Sequence, residues 1–291
     1  MQIPVLKNEA IQALQIQKGK WYLDATLGHG GHSGEILKLG GRVLALDFDQ
    51  EAIEVAKENL SQYLTEGKII IIRENFVKLA EIRLQNKSIN QISGALFDCG
   101  ANINQLKSQK RGFSFSFDSY LDMRMDQRLT VKAADLLAMG SKRELTHLFE
   151  KFGGEKKASL IAGEIINQRK VNRPIKTTTQ LVDLIIRIKG NKERIHPATK
   201  VMQALRIAIN SELENLKSGL QLAFDWLKDG GRLVTLTFHD GEDQIVNNFF
   251  KEKISLKQAI LITEKSIQPS KSEIKKNYCS RSGLLKIVEK I

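Results

Sequence analysis

The stretch Trp21-Tyr22-Leu23-Asp24-Ala25-Thr26-Leu27-Gly28-His29-Gly30-Gly31-His32-Ser33-Gly34, followed by Val43-Leu44-Ala45-Leu46-Asp47, restricts this chain to very few folds. An apolar strand runs into a glycine-rich turn, a helix follows, and a second strand ends on a carboxylate. That is half of a nucleotide-binding crevice in an open α/β sheet. Glycine lets the backbone take positive φ and approach a ligand with no Cβ in the way. Asp47 stands 19 residues after Gly28, where such folds place the group that holds ribose hydroxyls.

The dinucleotide pattern G-x-G-x-x-G is met at Gly28 and Gly30 and broken at Ser33. The form present from Asp24 to Gly31, Asp-x-x-x-Gly-x-Gly-Gly, is the one that S-adenosylmethionine enzymes tend to use. No pyrophosphate has to be seated there, and the loop wraps a methionine moiety and its sulfonium. By itself the loop indicates a nucleotide-like ligand rather than a particular one, and a tight turn with no ligand is the competing reading.

The rest of the composition narrows the setting. A chain of 291 residues with 42% hydrophobic content can bury one large core or two modest ones. An aromatic share of 6% argues against a carbohydrate-stacking surface. Residues 1–19 carry charges and no long apolar run, so they do not read as a secretory signal. No window approaches the ~18 continuous apolar residues of a membrane span. Two cysteines, Cys99 and Cys279, make neither a disulfide framework nor a metal set. A cytoplasmic protein in a reducing compartment, away from membranes, is expected.

The net charge of +12 is unevenly placed. Residues 1–102 hold 11 Lys+Arg against 12 Asp+Glu, whereas residues 103–210 hold 21 against 10. Residues 211–250 are acidic, with 3 against 7, and residues 251–291 are basic again, with 10 against 4. The part with the glycine loop is near neutral, and the excess sits in a middle block and a tail. Such segregation favours a polyanionic partner, most economically nucleic acid. A solvated basic surface without a partner is the alternative.

Short apolar runs at Tyr22–Leu27, Val43–Asp47, Ile69–Ile72 and Gly94–Asp98 alternate with helical patterns, and Asp49 is placed to cap the helix that carries Ala52, Ile53, Ala56 and Leu60. Buried, near-continuous apolar strands alternating with helices indicate a parallel sheet. After Asp98 the alternation stops. Helical patterns at Lys142–Lys151, Glu155–Gln168 and Thr178–Ile188 follow with no convincing strand. Alternation resumes with the helix Glu212–Lys228, the turn Asp229-Gly230-Gly231 and the strand Arg232–Phe238, and Leu256–Glu264 and Leu284–Glu289 look like closing strands. The expected fold class is α/β, a Rossmann-like sheet with a helical insert after its fourth strand. Residues 1–102 and 211–291 form the core, and 103–210 form a substrate-binding insert, because insertions at strand C-termini cover the ligand crevice.

Five further blocks carry a family resemblance. Arg111-Gly112-Phe113-Ser114-Phe115, Leu121-Asp122-Met123-Arg124-Met125-Asp126, His196-Pro197-Ala198-Thr199-Lys200, Gln203-Ala204-Leu205-Arg206-Ile207 and Ser280-Arg281-Ser282 resemble, in order and across nearly the whole chain, the ribosomal RNA small subunit methyltransferase H family, also called MraW. The resemblance implies an S-adenosylmethionine-dependent enzyme that methylates N4 of one cytidine in the decoding centre of 16S rRNA, with the small ribosomal subunit as its partner. It implies that Gly30, Gly31 and His32 line the methionine end of the cofactor, that Asp47 holds the ribose, that Phe76 packs near adenine, and that Asp98 and Gln105 complete the set. The residues themselves point to the loop, Asp47 and Asp98, and would not have singled out Phe76 or Gln105. The chain departs from the family pattern at Cys99-Gly100-Ala101-Asn102-Ile103-Asn104, at Asp240-Gly241-Glu242-Asp243-Gln244 and at Tyr278-Cys279.

Transfer of a methyl group from a sulfonium is an in-line displacement, so the protein's task is to hold N4 ~3–3.5 Å from the methyl carbon. A group that accepts a hydrogen bond from the amino protons would raise the nucleophilicity of N4. Other amino methyltransferases use an Asp/Asn-Pro-Pro-aromatic turn after the fourth strand, and Asp98-Cys99-Gly100-Ala101 stands there instead. Asp98 is the first catalytic candidate, and His239, followed by Asp240, is the second. Arg111, Arg124, Lys200, Arg206 and Arg281 are candidates for RNA phosphate contact, although Asp122 and Asp126 beside Arg124 equally suit an internal ion-pair network. A target base inside folded rRNA has to leave its stack, and Phe113, Phe115 or Phe117 could stack on it, while their spacing of two equally suits one buried face. The five histidines form no metal set. Two rivals stand beside this reading. One is methylation of an amino group on DNA or another RNA; the other is a non-catalytic ribosome-assembly factor that kept the fold. The exposed insert also leaves room for a homodimer.

Overall fold

The computed structural model describes residues 4–100, 108–190 and 195–291. In chain order the core begins with α1 (Lys7–Leu14), β1 (Trp21–Asp24), α2 (Gly31–Lys38), β2 (Arg42–Asp47), α3 (Gln50–Asn59), α4 (Ser61–Thr65), β3 (Ile69–Arg73), α5 (Leu79–Gln85) and β4 (Ile92–Asp98). Among the described residues five helices follow: α6 (Ala133–Met139), α7 (Lys142–Gly153), α8 (Ala158–Lys170), α9 (Thr178–Lys189) and α10 (Thr199–Asn210). The core resumes with α11 (Glu212–Trp226), β5 (Leu227–Thr237), α12 (Asp240–Ser255), β6 (Ala259–Leu261), α13 (Lys271–Lys276) and β7 (Leu284–Lys290). Two compact units result, residues 1–100 with 213–291, and residues 101–212. No helix among the described residues is long and apolar enough to cross a membrane.

The seven strands form one sheet in the order β3-β2-β1-β4-β5-β7-β6. The first five are parallel, and β7 runs antiparallel between β5 and β6. The order reverses between β1 and β4, which makes a crevice at the carboxyl ends of those strands, where open α/β sheets bind ligands. The apolar runs are explained by burial on both faces. Tyr22, Val43, Ala45, Leu96 and Val234 face a cluster built with α1, α2 and α3, among them Leu14, Ile36 and Ala56. Their neighbours Leu23, Leu44, Leu46, Phe97 and Leu233 face the opposite cluster, with Leu79, Leu220, Trp226 and Phe249 from α5, α11 and α12.

The expected cap is present: the Asp49 side chain accepts the Glu51 amide at the start of α3. Two expectations change. Asp229-Gly230-Gly231 does not precede a strand but bulges within β5, so that Ile92 faces Leu227 and Gly94 faces Arg232, with Gly230 at φ +73°. The closing strand read as Leu256–Glu264 shortens to Ala259–Leu261. The second unit is helical, and outside its helices the described residues hold only an isolated bridge between Tyr120 and Thr177. Ser141 and Thr177 make capping boxes with Glu144 and Gln180. A buried ion pair, Lys189 Nζ to Glu155 Oε2 at 2.8 Å, ties the end of α9 to the turn before α8.

Candidate functional site

The site grows from the carboxyl end of β1. Beyond Asp24 the chain turns through Gly28 at φ +51° and Gly30 at φ +82°, and α2 starts at Gly31. A Cβ on Gly30 would stand 2.7 Å from Leu60 Cδ1, so backbone sign and space both demand glycine there. Asp24 is fully buried beneath the loop. Its Oδ2 accepts the Ser33 hydroxyl at 2.7 Å, and its Oδ1 accepts the Thr26 amide at 3.2 Å. Ser33, which breaks the dinucleotide pattern, is therefore the donor that satisfies a buried carboxyl at the foot of the loop. Burial raises the Asp24 pKa, while Ser33 and the nearby His32 act in the opposite sense.

Asp47, at the end of β2, accepts the Gly28 amide on Oδ2 at 2.8 Å and the Asp49 amide on Oδ1 at 2.9 Å. Each oxygen keeps a further lone pair. Burial pushes the carboxyl up to about 7 against the pull of those two amides. Asp98, at the end of β4, is positioned by its own amide, which donates to Thr26 Oγ1 at 2.7 Å. Its Oδ2 lies 3.6 Å from His32 Nε2. Among the described residues, Asp98 Oδ1 and both ring nitrogens of the buried His32 have no hydrogen-bond partner. Buried polar atoms are rarely left so in a native fold, and here they gather at the crevice where the sheet order reverses.

The other expected positions behave differently. Phe76 follows β3 in a short turn capped by Asn75, lies edge-on to Phe97 at 5.3 Å, and packs where a Cβ on Gly219 would fall 2.4 Å from its ring. It is half-buried and packs against the core cluster. His239 caps α12, its Nδ1 accepting the Glu242 amide at 3.4 Å and its Nε2 lying 3.1 Å from Glu242 Oε1. Gln105 lies outside the described residues.

The arginines named for RNA contact are mostly engaged within the chain. Arg111 is buried and donates to the carbonyls of Arg124 and Met125. Arg124 makes a bidentate pair with Asp122 and donates to the Gln127 and Leu129 carbonyls. Arg206 pairs bidentately with Glu212, and Lys200 donates to the Gly154 carbonyl. Arg281 lies over the Tyr278 ring at 4.2 Å. The Arg124–Asp122 pair is the kind of internal ion pair that the second reading of this block expects. Sequence reasoning passed over Asp24, Thr26 and Ser33 as organising residues. The signal was present in the buried strand end and in the serine that replaces a glycine.

The sequence profile of the MraW methylase family matches residues 1–291. The chain belongs to that family. A relative from Desulfotalea psychrophila, named ribosomal RNA small subunit methyltransferase H, is 40% identical over 295 residues, covering 99% of this chain and 98% of its own length. A relative of the same name from Sulfurihydrogenibium is 39% identical over 292 residues, with coverage of 99% and 98%. Among solved structures, an rRNA methylase from Streptococcus thermophilus matches with a TM-score of 0.44 at 12% identity over 100% of this chain and 99% of that one, too loosely to place any residue. Family membership accounts for the order of the five sequence blocks and for the methyltransferase type of glycine loop.

Proposed function

We propose that this chain is a cytoplasmic S-adenosylmethionine-dependent methyltransferase that modifies N4 of a cytidine in 16S rRNA, within the decoding centre of the small ribosomal subunit. The observation that carries the reading is the buried His32 beside Asp98 at the glycine loop of a family methylase, with both ring nitrogens and Asp98 Oδ1 lacking a hydrogen-bond partner among the described residues. The residues fit the cofactor. Gly28, where a Cβ would meet nothing within 4 Å, leaves room for close backbone approach, Asp47 has acceptor capacity for a ribose diol, and His32, beside Asp98, has unmet ring nitrogens for the amino-acid end. Phe76 offers an aromatic flank for adenine. When bound, S-adenosylmethionine supplies a methyl group already activated by its sulfonium.

The chain's own residues then orient and deprotonate. Asp98, fixed through its amide to Thr26, presents Oδ1 as an acceptor for an amino proton of cytosine, which draws electron density onto N4. The same carboxylate takes the proton that N4 must release once the new bond has formed. Asp24 and Ser33 hold the loop beneath, and the sheet and its apolar clusters keep water from the floor of the site. In this reading residues 103–210 form the RNA-binding insert. Its engaged arginines shape the fold, and exposed lysines of the insert and tail meet phosphate. The test is transfer of labelled methyl to small subunits lacking the modification, with the product nucleoside identified by mass spectrometry. N4-methylated cytidine is expected; label on another nucleoside, or none, would overturn the assignment.

A further inference from the structure

Among the twelve phenylalanines, Phe115 and Phe117 are the two that are exposed, at 39% and 41%, while Phe113 in the same Phe-Ser-Phe-Ser-Phe run is buried under Arg111. The alternation therefore does not serve one buried face; it turns one ring in and two out. Phe115 lies flat on His196, with ring centroids 4.1 Å apart and planes within 11°. The segments that carry the two rings are tied down. The Phe117 carbonyl accepts the Thr178 hydroxyl at 2.6 Å, the Ser119 amide donates to that same hydroxyl, and Tyr120 bridges to Thr177 at the head of α9. His196 Nδ1 accepts the Ala198 amide at 3.3 Å, and the Pro197 carbonyl accepts Lys189 Nζ, itself paired with buried Glu155.

A parallel aromatic stack with Phe115 exposed and His196 partly exposed offers a planar apolar face of the kind a base can stack on. The partner is indicated by charge: the segment that carries both rings, 103–210, holds 21 Lys+Arg against 10 Asp+Glu, and Lys132 stands 5.2 Å from the exposed Tyr120 ring nearby. Aromatic faces flanked by cations are how proteins hold unpaired bases along a phosphate backbone. We infer that the Phe115–His196 stack is a platform for an unpaired base of the RNA, distinct from the residues of the glycine-loop crevice. This rests on the RNA-methyltransferase reading given above. Stacking requires a base out of its helix, so the platform selects a locally open strand and tolerates any base.

The probe is a single-stranded 16S rRNA fragment carrying the target cytidine, compared with the same fragment annealed to its complement. Phe115→Ala and Phe115→Leu are expected to weaken binding of the open fragment about 5- to 150-fold, the loss of one base–aromatic stack. Phe115→Trp is expected to retain binding and to show quenched tryptophan emission on adding the open fragment and not the duplex. Calorimetric affinity for S-adenosylmethionine and the melting temperature, unchanged in all three variants, separate this from misfolding. Wild-type affinity in Phe115→Ala, or no quenching in Phe115→Trp, would overturn the platform while methyl transfer by the wild type leaves the enzyme reading standing. A wild type that neither binds nor methylates the RNA would sink both. Self-association of the wild type that Phe115→Ala abolishes would give the surface to a second copy and overturn the proposal.

Discussion

Asp47 gives the sharpest prediction, because its protonation and its ligand role oppose one another. Its carboxyl is displaced from an ordinary 3.8 to about 7, chiefly by burial. A ribose diol donates hydrogen bonds and favours the ionised form, so below pH 7 binding of S-adenosylmethionine has to expel a proton. Affinity is therefore expected to rise about tenfold per pH unit, ~1.4 kcal/mol, from about pH 5.5 until it levels above pH 7. In the free protein the sign is reversed. A carboxyl whose folded pKa lies above its unfolded pKa leaves the folded state holding the extra proton between about 4 and 7, so stability falls as pH rises through that window, by at most ~1.4 kcal/mol per unit. Titration calorimetry in two buffers of different ionisation enthalpy reads the released proton directly. Asp47→Asn cannot titrate. Its affinity is expected to be lower by about 1.5–3 kcal/mol at pH 8 and indifferent to pH below that. Wild-type affinity that is flat from about pH 5.5 to 8, with buffer-independent heats, would refute both the ribose assignment and the burial argument.

Three further outcomes are expected. Ser33→Gly restores the dinucleotide pattern on paper yet should destabilise by about 1–3 kcal/mol in urea titrations, because buried Asp24 loses its hydroxyl donor; equal or greater stability would remove Ser33 from the loop's foundation. Lys189→Met strands the Glu155 carboxylate, and a loss of about 3–5 kcal/mol is expected, partly recovered by adding Glu155→Gln. Burial works against the Glu155 charge, but the Lys189 and Lys157 donors outweigh it and hold the carboxyl below its usual range, so the pair's contribution fades as pH drops below about 4.5. A melt insensitive to Lys189→Met would contradict this. Neutralising the exposed Lys275 and Lys276 is expected to reduce the slope of log affinity for rRNA against log salt by roughly 0.7–0.9 per lost phosphate contact; an unchanged slope would clear the tail of phosphate contact.

What the sequence disclosed and what it withheld follow physical lines. The strand runs were legible because both faces of the parallel sheet are buried, so Leu44 and Ala45 are equally apolar although they face opposite clusters. The glycine loop was legible because positive φ at Gly28 and Gly30 excludes most other residues. Helices α1 and α12 escaped notice, since their apolar stripes are short and charged residues interrupt them. Arginine identity could not separate phosphate contact from structure. A guanidinium satisfied by carbonyls, as at Arg111, and one paired with a carboxylate, as at Arg206, become distinguishable only when distant segments meet. The Phe113, Phe115 and Phe117 run is the same case, its division into one buried and two exposed rings being decided by Arg111 and by the head of α9.

The register of β4 with β5 bears on how the chain comes to be folded at all. Leu96 pairs with Val234, and the whole helical unit 101–212 is encoded between them. At a synthesis rate of ~5–20 residues per second, β4 emerges from the ribosome on the order of ten seconds before its partner exists. During that wait one edge of a strongly apolar parallel strand is open, an edge able to pair with another chain. The helices of the insert, closed by local contacts, can form in the interval, while the sheet must stay unfinished. Nascent chains halted within the insert should therefore aggregate or recruit chaperones, and released full-length chains, in which β5 and β7 complete the sheet, should not. The yield of folded protein would thus depend on the pace at which ribosomes deliver its fifth strand.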